Sequence, residues 1–185
     1  LVLIDAGCEI EGYASDITRT FPVAGRFSAE QRAVYEIVLA AQAAAIAAIR
    51  PGARFVDYHH AAVRVLCQGL IDLGLLTGTV DAAIESEAYK PYYMHRTGHW
   101  LGLDVHDAGA YRTGSGDDDW VILTPGMTLT VEPGLYLRPS DKVPEHLHGI
   151  GVRIEDDVLV TSAGRLVYTH APRTVGEIEE VMHHE

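Results

Sequence analysis

The chain has 185 residues, 48% of them hydrophobic, with a mean hydropathy of +0.06, enough for one globular domain with a substantial core. Its 26 acidic against 14 basic side chains leave a formal charge of -12 without any basic run, which argues against nucleic acid as a partner, since that binding rests on clustered lysine and arginine. Two cysteines without CxxC spacing build neither a disulfide framework nor a zinc ribbon and point to a reducing cytosol, and no apolar stretch reaches the roughly 18 residues that cross a bilayer.

Residues 1–4 form an apolar run that reads as a buried strand ending at Asp5-Ala6-Gly7. Residues 13–21 form a second extended segment, and Gly12 between the two predicts a hairpin. Because Leu1 already stands inside the first run, with no Met and no turn before it, the chain is expected to begin partway through a larger protein. Ser28 and Gln31 make a capping-box pattern ahead of an alanine-rich helix over 29–50, stopped by Pro51-Gly52. Helices are also predicted over 55–73, closing at Gly74, and over 80–88.

After Tyr93 the texture changes. Residues 95–106 are rich in Gly and His, 113–119 read as a turn region, 127–137 and 152–161 read as strands, and a short helix is predicted over 175–184. Strand runs and helix runs are segregated rather than alternated, which predicts one α+β domain over 1–185, with an antiparallel sheet and helices on one face.

The informative residues are acids set in apolar runs: Asp5 after Leu-Val-Leu-Ile, Asp16 within 13–21, Glu132 after Leu129-Thr130-Val131, and Glu155 after Val152-Arg153-Ile154. A buried carboxylate costs several kcal/mol (roughly) unless it is paired or neutralised. Each acid taken singly has an ordinary reading, as a turn cap or as the partner of Arg19 or Arg153. Four in one small domain, with a histidine flanked by glycine at Gly98-His99, favour a paired site for manganese, cobalt or zinc. His95, His99 and His106 cluster within twelve residues, which suits acid–base work. His59-His60, His146, His148 and His183-His184 read as surface positions, and Met94 and Trp100 as core.

Five blocks together resemble the proline-specific metallopeptidases of the pita-bread fold, the family of aminopeptidase P and prolidase. They are Leu3-Ile4-Asp5-Ala6-Gly7, the stretch from Asp16 to Phe21, His95 with the stretch from Gly98 to Asp107, the stretch from Thr130 to Tyr136, and Gly151-Val152-Arg153-Ile154-Glu155-Asp156. The resemblance implies a curved antiparallel sheet with helices on its outer face, here lacking its first strand or strands. It implies two divalent ions, manganese before cobalt or zinc, held by Asp5, Asp16, His99, Glu132 and Glu155, with Asp16 and Glu155 bridging. It implies catalytic roles for Glu132, His95, His106 and Arg153, and substrate contacts from His95, His106, Tyr136 and Arg153. The implied activity is hydrolysis of the Xaa-Pro bond at the N-terminus of peptides by a metal-bridged hydroxide, in a cytoplasmic homo-oligomer. By itself the chain is expected to be weak or inactive. Two alternatives stand beside this: prolidase, which takes only dipeptides, and a non-catalytic binding module of the same fold. A two-metal phosphoesterase is disfavoured by the absence of a phosphate-cradling loop.

Overall fold

A computed structural model describes residues 1–183. The first hairpin pairs β1 (Val2–Ala6) with β4 (Ile17–Phe21) and β2 (Glu9–Ile10) with β3 (Tyr13–Ala14). Both ladders share one register, since Ala6 faces Ile17 and Glu9 faces Ala14. The connection is a two-residue turn at Glu11-Gly12, both with positive φ, the geometry whose twist suits a tight hairpin.

The long strand predicted over 127–137 is two strands, β5 (Thr128–Val131) and β6 (Gly134–Leu137), and that over 152–161 lies in β7 (Ile150–Arg153) and β8 (Asp156–Thr161). Here too the register runs through: Val131 faces Asp156 and Gly134 faces Arg153, which sets Glu132 opposite Glu155 in the gap. Pro133 has no N–H to give the ladder, and across the break only Ile154 N donates to Pro133 O, at 3.4 Å. Sequence periodicity cannot see this interruption, because alternation continues through it. A further strand, β9 (Gly164–Val167), pairs antiparallel with β8 and was not predicted.

Side chains alternate across these strands. Leu129, Val131, Leu135, Leu137, Val152, Ile154, Val158 and Val160 are buried together in the core, and α1 packs against β5, β6 and β7. Thr130, Glu132, Tyr136, Arg153, Glu155 and Asp157 fall on the opposite face. Helix α1 (Ala29–Ala48) starts at the predicted capping box, where Ser28 and Gln31 satisfy each other's backbone N–H groups. Helices α2 (Asp57–Asp72) and α3 (Val80–Glu85) are shorter than predicted. The last helix, α4, spans Val175–His183, so the predicted end at His184 lies outside the described residues. No helix among the described residues is long and apolar enough to cross a membrane.

Four sequence expectations are corrected. Strand β1, read as buried, is largely exposed, with Ile4 49% accessible. Met94 is half-exposed, not core, and lines a groove with His95, Tyr136 and Arg153. His59 is not a surface residue: it is partly buried and its Nδ1 lies 2.8 Å from Thr97 Oγ1, while burial pushes its pKa down to about 4. His148 is also partly buried, with Nε2 2.7 Å from Val143 O, whereas His60, His146 and His183 are exposed.

Candidate metal centre

The two interrupted hairpins meet where they are interrupted. Glu155 N donates to Thr18 O at 3.0 Å, and Asp16 N donates to the carboxylate of Asp157 at 3.1 Å, so β4 lies beside the break between β7 and β8. On the far side, residues 97–101 run along β5: Glu132 N donates to Thr97 O at 2.7 Å and Thr130 N to His99 O at 3.0 Å. Asp16, His99, Glu132 and Glu155 are thereby brought to one place from four separate segments.

Asp16, His99 and Glu155 each offer a ligand atom within 4.8 Å of the others. Glu132 joins them, with Oε1 3.7 Å from His99 Nε2, while Asp16 Oδ2 is 3.4 Å from the same nitrogen. The carbonyl of Trp100 accepts from His99 Nδ1 at 2.9 Å, which assigns the ring proton to Nδ1 and leaves the Nε2 lone pair facing the carboxylates. A lone pair aimed at acid oxygens, all of them ligand atoms, fits a divalent cation set between them. Asp5 stands at the rim, half-exposed and bonded to Arg153, close enough to Asp16 to help raise its pKa.

The chain shows what it does with a buried acid that is structural. Asp156, fully buried, is held by Arg19 at 2.7 Å and by Arg173 at 2.6 Å. Of the two arginines that the sequence offered as partners for the site acids, Arg19 is occupied by Asp156 and Arg153 pairs with Asp5 alone among the four, so the ordinary reading as an arginine partner holds for Asp5 only. Among the described residues, Asp16, Glu132 and Glu155 form no ion pair with lysine or arginine. Burial first, and the other carboxylates next, push Glu155 up to about 8. Burial also pushes Glu132 up to about 7, against the lowering effect of Arg153. Asp16 is raised as well, by burial and then by Asp5. Without cations the centre is therefore electrostatically unfavourable.

Arg153 links the centre to Tyr136 and His95. Its Nε donates to Thr18 Oγ1 at 3.1 Å, and that hydroxyl in turn donates to Glu155. Its Nη1 donates to Tyr136 OH at 3.3 Å, and Tyr136 OH lies 2.7 Å from His95 Nε2. His95 Nδ1 faces the carbonyl of Arg96 at 2.7 Å, so Nδ1 carries the proton and Tyr136 donates to Nε2. Both ring nitrogens of His95 are engaged. His106 is exposed, lies against His99 with ring centroids 4.1 Å apart and the planes tilted by 53°, and has no hydrogen bond among the described residues. The two histidines line a cleft of about 420 Å³ with His99 and Glu132. A larger cavity of about 830 Å³, between Tyr13, Trp100, Asp157 and Tyr168, contains none of the five proposed ligands.

Sequence reasoning missed Thr18, Thr130 and Asp157. Thr18 and Thr130 are fully buried, and Thr130 Oγ1 accepts from His99 N at 3.2 Å. Asp157, which holds Asp16 by its backbone, is pushed up to about 6 by burial, and its Oδ1 has no partner among the described residues. The signal was present as threonines at alternate positions of apolar strands, which a charge-based search passes over. Gly98 is also fixed by geometry, because a Cβ there would run into Thr130 O. Gly98→Ala is expected to cost about 2 kcal/mol or more, as overpacking against backbone does, read as a lowered urea midpoint with unchanged m-value.

Residues 1–162 match the family model of metallopeptidase family M24, and the chain belongs to that family of divalent-metal peptidases. It is 52% identical over 183 residues to the Xaa-Pro aminopeptidase of Haemophilus influenzae, covering 98% of this chain and 42% of that protein. It is 40% identical over 208 residues to the Xaa-Pro dipeptidase of Homo sapiens, covering 98% and 42%. The structure of the Pseudomonas aeruginosa aminopeptidase PepP superposes with a TM-score of 0.94 at 58% identity, over 97% of this chain and 40% of that one. The fold is thus that of the aminopeptidase P structures, and the chain spans about 40% of the length of these relatives.

Proposed function

We propose that the protein containing this chain hydrolyses the bond between an N-terminal residue and proline, using two divalent cations held by Asp5, Asp16, His99, Glu132 and Glu155. Manganese is favoured over cobalt or zinc, because four carboxylates and one imidazole form a hard, oxygen-rich set. The observation that carries this reading is the group of three acids, Asp16, Glu132 and Glu155, gathered around the Nε2 lone pair of His99 with no direct ion pair to arginine or lysine among the described residues. When bound, the cations supply hydroxide from water near neutral pH and polarise the scissile carbonyl.

The chain's own residues provide the rest. Glu132, shared between His95 at 3.9 Å and His99 at 3.7 Å, is placed to take a proton from the nucleophile and pass it to the departing proline nitrogen. His106, with its ring nitrogens uncommitted, is the better candidate to hydrogen-bond the substrate carbonyl, while His95 is held by Tyr136 and shapes the wall. Arg153 positions Tyr136, Asp5 and, through Thr18, Glu155. Proline lacks an N–H and has a fixed φ, so its bond requires a dedicated pocket rather than an extended-strand binding site. The free thiols of Cys8 and Cys67 support a reducing, cytosolic setting.

Prolidase remains the second reading, supported by the likeness to the human dipeptidase. Turnover of Xaa-Pro against Xaa-Pro-Yaa by the full-length protein separates the two. Cleavage of the tripeptide is the expected result, and cleavage of dipeptides alone would assign the protein to the prolidases.

A further inference from the structure

A polar group stands in the apolar stripe of α2. His59 shares that stripe with Val63, Leu66 and Leu70, at the spacing of a core-facing helix, where an aliphatic side chain would complete the packing. Instead its Nδ1 lies 2.8 Å from Thr97 Oγ1, and the same hydroxyl lies 2.7 Å from Tyr93 OH. Tyr93 and Thr97 are fully buried, so the proton of each hydroxyl needs an acceptor inside the protein. Thr97 is the one hydrogen-bond partner of Tyr93 OH among the described residues, so Tyr93 donates to Thr97 and Thr97 donates to His59. The opposite order would leave the Tyr93 proton unmet. His59 Nδ1 is then an acceptor, with the ring neutral and its proton on Nε2. Burial, which pushes His59 down to about 4, keeps the ring in that form.

This chain of bonds grips the segment that serves the centre. Thr97 O accepts from Glu132 N at 2.7 Å and His99 O accepts from Thr130 N at 3.0 Å, so the main chain of 97–99 is what β5 and Glu132 are set against. The bond from Tyr93 to Thr97 also closes the short irregular loop that carries His95. The Tyr93 ring meets His95 edge-on, with centroids 4.8 Å apart at 74°, and His95 Nδ1 lies 3.9 Å from Glu132 Oε2. We propose that Tyr93, Thr97 and His59 are positioning residues for the reaction, tying α2 to the His95 loop and to the backbone of Glu132. They act through Glu132 and His95 and belong to neither the ligand set nor the substrate contacts, and the role rests on the Xaa-Pro reading above. Three aliphatic side chains could fill the same space. A directed chain of hydrogen bonds, by contrast, is satisfied in one arrangement of the loop, which holds the reacting groups to the tolerance their geometry needs.

The test uses the full-length, manganese-loaded protein with Ala-Pro-Ala, at a temperature where circular dichroism shows every variant folded. Thr97→Val keeps the shape and removes the hydroxyl, and Tyr93→Phe removes only the donor at the head of the chain. Each is expected to lower kcat about tenfold, the size of a lost supporting hydrogen bond behind a metal site, with KM within about twofold of wild type. Thr97→Ser, which keeps the hydroxyl and drops the methyl group, is expected to retain most of the wild-type rate. A role in packing alone would lower the urea midpoint and leave kcat where it was. Wild-type kcat in Thr97→Val or Tyr93→Phe, a loss carried by KM, or a Thr97→Ser rate no better than that of Thr97→Val would overturn the proposal. Should Thr97→Val not fold, Tyr93→Phe against wild type carries the same test. If the wild type cleaves no Xaa-Pro peptide, manganese titration decides. Weaker binding by Tyr93→Phe and Thr97→Val than by wild type and Thr97→Ser would retain the positioning role while removing the Xaa-Pro reading, and equal binding would remove both.

Discussion

Replacing Glu132 or His99 by alanine in the full-length protein is expected to lower kcat for Xaa-Pro hydrolysis by about a thousandfold or more, within the range of losing a general base and a metal ligand together. Glu132 stands opposite Glu155 in the gap of the second hairpin, and His99 faces both Glu132 and Asp16 through Nε2. No other imidazole nitrogen among the described residues lies so close to Asp16 and Glu132 with its lone pair free. The fold should survive the Glu132 change, because its carboxyl is already pushed up to about 7 by burial, a sign that the charged form is a burden in the metal-free protein. Far-UV circular dichroism and the urea midpoint report the fold, and turnover in a metal-replete assay reports the chemistry. Full turnover in either variant would remove the substituted residue from the mechanism.

Stability should depend on pH with a sign set by the same carboxyls. Glu132 and Glu155 are raised from 4.5 to about 7 and about 8 in the folded, metal-free state. The native state then holds more protons than the unfolded one between those limits, so the stability these groups contribute is present below pH 4.5 and is lost as pH rises through the folded values. Cations reverse this, since they bind the ionised ligands, and their binding free energy adds to folding. The rise in Tm on adding manganese is therefore expected to be greater at pH 8 than at pH 5 by about 5 °C. A metal-induced shift that is equal at both pH values, or a metal-free protein that gains stability toward pH 8, would contradict the electrostatic description of the centre.

Much of the architecture was legible because its causes are local. The capping box at Ser28 and Gln31 and the turn at Gly12 are short-range signals that appear where the residues place them, and α1 ends at Ala48, shortly before the predicted stop at Pro51-Gly52. The acids were visible because charge inside an apolar run is a local anomaly. The break in the second hairpin was not visible, since Glu132-Pro133 and the facing Ile154-Glu155 interrupt pairing without disturbing the alternation of side chains. His59 was misplaced on the surface because its partner, Thr97, lies on a distant segment, and Met94 was misplaced in the core because it faces a groove. The supporting hydroxyls of Thr18 and Thr130 matter only through contacts that tertiary structure creates.

An anomalous-scattering map of the full-length protein crystallised with manganese tests the central claim most directly. Two peaks are expected, enclosed by carboxylate oxygens of Asp5, Asp16, Glu132 and Glu155 and by Nε2 of His99. A map with no peak at these side chains, while all five are well ordered, would contradict the account.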